Sequence, residues 1–121
     1  MSTNYKIKKE VVNIQEDRVS FILESVASAC GVTVESLKVR GNKRDVVDAK
    51  HLCRYFIYTY TILTLSSTIR QTGGVNHTTV ISSINKVDDF LKTDKSFRQR
   101  FKEIESVISA KFDFIKKIRY E

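Results

Sequence analysis

The sequence predicts an all-α fold: a helical bundle that contains a helix-turn-helix and ends in a long C-terminal helix. Apolar residues recur at three- and four-residue steps along most of the chain, the spacing of one buried helix face. Proline is absent and only four glycines occur, although average usage near ~5% would supply about six prolines. That deficit suits helices and disfavours a sandwich or barrel of many turn-linked strands. With 121 residues the chain has room for one core and not for two.

From Asp17 to Cys30, the residues Val19, Ile22, Leu23, Val26, Ala29 and Cys30 fall on one helical face, with Asp17 placed to cap the start and Gly31 the end. The residues before it, 1–16, read as a flexible basic arm preceding a single helical domain over 17–121. Thr33 offers a hydroxyl cap for a short helix to about Lys38, with Val34 and Leu37 inward. A basic loop, Val39 to Arg44, follows. The clearest stripe is Ala49, Leu52, Cys53, Phe56, Ile57 and Tyr60, which marks the central helix; Asp45 or Asp48 at its head complements the backbone dipole. Ser66 and Ser67 can cap a short helix to about Gln71. The only glycine pair, Gly73-Gly74, then makes a turn, and Asn76 is the cap expected for the next helix, which points Val80, Ile84, Val87 and Leu91 inward. Residues 94–118 form the last helix, with Phe97, Phe101, Ile104, Ile108, Phe112 and Ile115 on one side.

The 21 Lys and Arg against 14 Asp and Glu leave a net charge of +7, which favours polyanionic partners. The excess is uneven. Residues 38–54 carry Lys38, Arg40, Lys43, Arg44, Lys50 and Arg54 against Asp45 and Asp48, and residues 95–119 hold eight cationic side chains and three acidic ones. The charged start has no secretory pattern and no apolar window approaches the length of a membrane span, so a soluble, cytoplasmic protein without a membrane partner is expected. Cys30 and Cys53 lie on apolar stripes and read as buried free thiols. The spacing of Cys30, His51, Cys53 and His77 is unlike a zinc motif, and no nucleophile elbow or triad is recognisable, so neither a metal, a cofactor nor enzyme activity is expected.

Residues 66–90 have the form of a helix-turn-helix, whose second helix enters the major groove of duplex DNA by its N-terminal end. The polar run Asn76-His77-Thr78-Thr79 sits where side chains and unpaired backbone N–H groups would face base edges and phosphates. Each residue also has a plainer reading: Asn76 would cap a helix without DNA, and His77 would be an ordinary surface residue. Thr78 and Thr79 lower helix propensity without a packing reason, which favours contact.

Gly73-Gly74-Val75-Asn76-His77-Thr78-Thr79-Val80 resembles the GGRDHTTV signature of the C-terminal DNA-binding domain of the bacterial replication initiator DnaA. The similarity extends upstream through Val32-Thr33-Val34-Glu35-Ser36-Leu37, the basic loop and the helix from Asp48 to Thr61, and covers roughly residues 18–110. It implies an all-helical binder of double-stranded DNA. The family's major-groove readers fall on Asn76, His77, Thr78 and Thr79, its minor-groove arginine most nearly on Arg44, and its neighbouring backbone contacts on Lys43 and Lys50. Leu65 matches the leucine of a Leu-Pro pair. Ser66 stands in place of that proline, Val75 in place of arginine and Asn76 in place of aspartate; Arg70 is placed to reach the phosphate that a valine at position 75 cannot bind. Aspartate accepts from cytosine N4, whereas asparagine both donates and accepts and suits adenine, so the base preference is expected to differ. No GxxxxGK phosphate loop occurs, so no nucleotide is expected as a partner, and a stand-alone reader in replication or transcription control of a bacterium, phage or mobile element is the implied role. The alternative is a protein-interaction module that keeps this fold and uses the C-terminal helix to bind a replication protein or to dimerise.

Overall fold

The computed structural model describes residues 2–41 and 43–112, with side chains from Glu16 onward, and it is all-helical over that range. Six helices follow in order: α1 (Ser2–Cys30), α2 (Val34–Lys38), α3 (Arg44–Tyr60), α4 (Leu65–Gln71), α5 (Thr78–Thr93) and α6 (Lys95–Lys111). None of them is long and apolar enough to cross a membrane.

α3 is the centre of the bundle. Its expected stripe, Ala49, Leu52, Cys53, Phe56, Ile57 and Tyr60, is buried throughout, and the helix touches α1, α2, α4 and α5. Phe56 stacks on Phe101 of α6 at 5.0 Å and meets Tyr55 edge-on at 5.3 Å, so aromatic packing joins α3 to the last helix. α6 closes the bundle against α1 and α5 with Phe97, Phe101, Ile104 and Ile108 turned inward. Val19, Ile22, Leu23 and Val26 of α1 are buried as expected. Cys53 is buried and Cys30 half-buried, and both are free thiols that burial holds above the usual thiol range.

Helix boundaries differ from expectation in several places. α1 begins at Ser2, so Asp17 lies inside it rather than capping it, and residues 2–16 continue the helix. Ala29 is exposed and Ala27 takes its inward place. Arg44 is the first residue of α3 rather than the end of the loop. α4 is capped by Thr64, whose hydroxyl accepts from Ser67 N at 3.1 Å, so Ser66 and Ser67 lie inside the helix. α6 stops at Lys111 with Phe112 extended beyond it; Phe112 packs on Phe21 of α1 at 5.3 Å, and Ile115 lies outside the described residues. The short α2 is as expected, with the Thr33 hydroxyl accepting from Ser36 N at 3.1 Å.

α4, the glycine turn and α5 form the helix-turn-helix, and a buried polar group fastens both helices to α3. The Arg54 guanidinium donates from Nε to Thr72 Oγ1 at 3.0 Å, from Nη2 to Thr72 O at 3.1 Å and from Nη1 to Ser83 Oγ at 3.1 Å. Ser83 Oγ also lies 2.8 Å from His51 Nδ1, where its hydroxyl can donate to a neutral ring. Burial first, then the Arg54 and Lys86 charges, holds His51 at a pKa of about 4 instead of 6.5.

Two outcomes follow from these contacts. The unfolded chain takes up the His51 proton near pH 6.5 and the folded one only near 4, so this contribution to stability is complete above pH 6.5 and is lost as pH falls toward 4. Urea unfolding at pH 7 and pH 5 should show a loss of about 1–2 kcal/mol that is diminished in His51→Gln. Gly73→Ala should cost about 2–3 kcal/mol in the same assay, because Gly73 has φ +71° and an added Cβ would overlap the carbonyl of Val39.

Candidate nucleic-acid interface

The turn is built from the end of α4. Thr72 N and Gly74 N both donate to Ile69 O, at 3.2 and 3.0 Å, and Gly73 takes the left-handed conformation that reverses the chain. The bare Cα of Gly73 also lets the Val39 backbone rest directly against it. The basic loop and the turn are therefore in contact, which sequence spacing does not reveal.

The polar run beyond the turn is presented outward. Val75, Asn76, His77 and Thr78 are exposed and Thr79 half-buried. α5 begins at Thr78, two residues after the start expected at Asn76, but Asn76 still caps it: its Oδ1 accepts from Thr78 N at 3.0 Å and from Thr78 Oγ1 at 2.9 Å. Val80 and Val87 are buried and Ile84 and Leu91 half-buried, so the helix is anchored by one face while its N-terminal tip stays free.

Arg40, Gly41, Val75, Asn76 and Thr79 line one shallow groove between the loop and the tip, with Lys50 and Arg54 also in its lining. The expected site residues divide around it. Asn76 and Thr79 are in the groove, and His77 and Thr78 stand beside them. Lys43 and Arg44, both exposed, lie at the start of α3 and do not line it. Leu65 and Ser66 are in the first turn of α4, half-buried and exposed, and exposed Arg70 donates to Ser67 Oγ at 3.2 Å.

Lys50 departs from its expected place. It is buried, its ammonium donates to Val39 O, and burial followed by the nearby Arg54 charge lowers its pKa. Its ammonium thus holds the loop in place instead of standing free for a phosphate. Arg40 occupies the exposed position at the groove, and sequence reasoning misses it as a site residue, though the charge run of residues 38–54 contains it. Arg54 is missed as well; its place on the stripe-bearing helix gives no sign that its partners lie in the turn.

Among the described residues no three His, Cys, Asp or Glu side chains converge as metal ligands. The basic terminus expected at Lys116, Lys117 and Arg119 lies outside the described residues.

The family described as the bacterial dnaA protein helix-turn-helix matches residues 19–87. The chromosomal replication initiator protein DnaA of Flavobacterium psychrophilum is 29% identical over 104 residues, covering 85% of this chain and 22% of that protein. The DnaA protein of Picosynechococcus sp. is 31% identical over 88 residues, 73% of this chain and 20% of its own length. That of Gloeobacter violaceus is 36% identical over 67 residues, 55% of this chain and 15% of its own. The chain thus spans about a fifth or less of these relatives. No solved structure matches. The family match runs from Val19 in α1 to Val87 in α5, through α4, the glycine turn and the N-terminal part of α5: the chain belongs to the bacterial dnaA protein helix-turn-helix family.

Proposed function

We propose that this chain binds double-stranded DNA with sequence preference, placing the N-terminal tip of α5 in the major groove and the basic loop on the flanking backbone or minor groove. The observation that carries this reading is the tip of exposed Asn76, His77 and Thr78 with half-buried Thr79, and the groove beside it lined by Arg40, Lys50 and Arg54. A helix-turn-helix in this family supports DNA as the partner. In the proposed complex Asn76, His77, Thr78 and Thr79 face base edges, while Arg40, Lys43, Arg44 and Arg70 contact phosphates or the minor groove. Leu65 and Ser66, in the first turn of α4, approach the backbone.

The rival role, a protein-binding C-terminal helix, has less to support it. Phe97, Phe101, Ile104 and Ile108 of α6 are already committed to the core, which leaves Val107 as its exposed large apolar side chain among the described residues. The proposed setting is replication or transcription control, in keeping with the initiator proteins that the chain is similar to.

Titration of labelled duplexes by fluorescence anisotropy, at two salt concentrations, tests the reading. Thr79→Ala and His77→Ala should each weaken binding to a selected duplex by about 1–3 kcal/mol and change binding to a scrambled duplex little. Equal losses on both duplexes would remove base reading from the tip. Arg40→Ala and Lys43→Ala should weaken both duplexes alike and reduce the salt slope by about one each.

A further inference from the structure

The cap at the start of α5 settles which half of the Asn76 amide is available to a ligand. Its oxygen accepts from Thr78 N at 3.0 Å and from Thr78 Oγ1 at 2.9 Å. A backbone N–H can only donate, so the orientation of the amide is fixed, and two bonds occupy both lone pairs of the oxygen. The exposed end of Asn76 is therefore Nδ2, a pure donor. In the major groove a donor selects thymine O4, guanine O6 or N7, or adenine N7, and finds nothing to bind on cytosine N4. The bidentate adenine contact open to a free asparagine needs the oxygen as well, and the cap uses it.

Val75 narrows the choice. It is 74% exposed, the highest exposure among the large apolar side chains described, and it lines the same groove as Asn76. The one apolar group on a major-groove base edge is the C5 methyl of thymine, which lies next to O4. We propose that Val75 and Asn76 read one thymine as a pair, Asn76 donating from Nδ2 to O4 and the Val75 isopropyl group covering the methyl. The proposal rests on the major-groove placement of this tip and names the base that it takes. An aspartate at position 76 would keep the same cap with one oxygen and turn the other, an acceptor, outward, which takes an amino group, cytosine N4 or adenine N6, and rejects thymine O4.

Selection of bound duplexes from a random pool by the full chain identifies the site, and each thymine in it is then replaced singly by deoxyuridine, which removes only the methyl. At one position the replacement should weaken binding roughly fourfold, the worth of one buried carbon, and should have no effect on Val75→Ala. At that position Asn76→Asp should prefer cytosine over thymine by about tenfold. An enriched sequence in which Val75→Ala responds to every replacement as the parent does, or in which Asn76→Asp keeps thymine, overturns the thymine pair and leaves DNA reading intact. A pool with no enriched sequence, from protein shown by circular dichroism to be helical, overturns both.

Discussion

The arrangement of the motif depends on the buried guanidinium of Arg54. Its three hydrogen bonds end on Thr72, at the close of α4, and on Ser83, one turn into α5, so a single side chain of α3 sets the position of both helices. Its partners are hydroxyls and a carbonyl, which satisfy its donors without cancelling its charge. Taking an ion out of water is expensive, and here the expense leaves a cation in the lining of a groove also lined by Arg40 and Lys50. A charge in low-dielectric surroundings is weakly screened, so it adds to the potential that an approaching polyanion meets. His51, neutral beside the same serine, adds no second charge to this cluster near neutral pH.

Much of the architecture is legible in the sequence because it follows from periodicity. The α3 stripe, the inward face of α5, the α6 face from Phe97 to Ile108, the Thr33 cap and the Gly31 and Gly73 reversals each depend on residues close in the chain, and each stands where the pattern puts it. Errors concentrate where two local solutions compete. Thr64, Ser66 and Ser67 are all fair caps, and the choice of Thr64 becomes visible only with the backbone of the preceding loop. Asp17 resembles a start because it begins an apolar stripe, yet a polar stretch can extend a helix that its neighbour already nucleates.

The candidate interface is legible in part, for a different reason. Asn76, His77, Thr78 and Thr79 form one continuous run, and the structure keeps them together at one tip, the first three exposed and Thr79 half-buried. Lys50 and Arg40 cannot be told apart by charge: both lie in the same basic stretch, and only the path of the loop shows that one reaches inward to Val39 O while the other stays in solvent. Arg54 looks like one more cation of that stretch, since its partners lie 18 and 29 residues away in the chain.

The contact between Val39 and Gly73 has a consequence for how such a chain can diversify. Surface loops usually absorb added or deleted residues at little cost, because closing a slightly longer loop changes its entropy only modestly. The start of the basic loop lacks that latitude: the Val39 carbonyl is pressed against a bare Cα and tethered by an ammonium group. A change of length beside Val39 would break both contacts, so variation there is more readily carried by exchanging side chains on a frame of constant length.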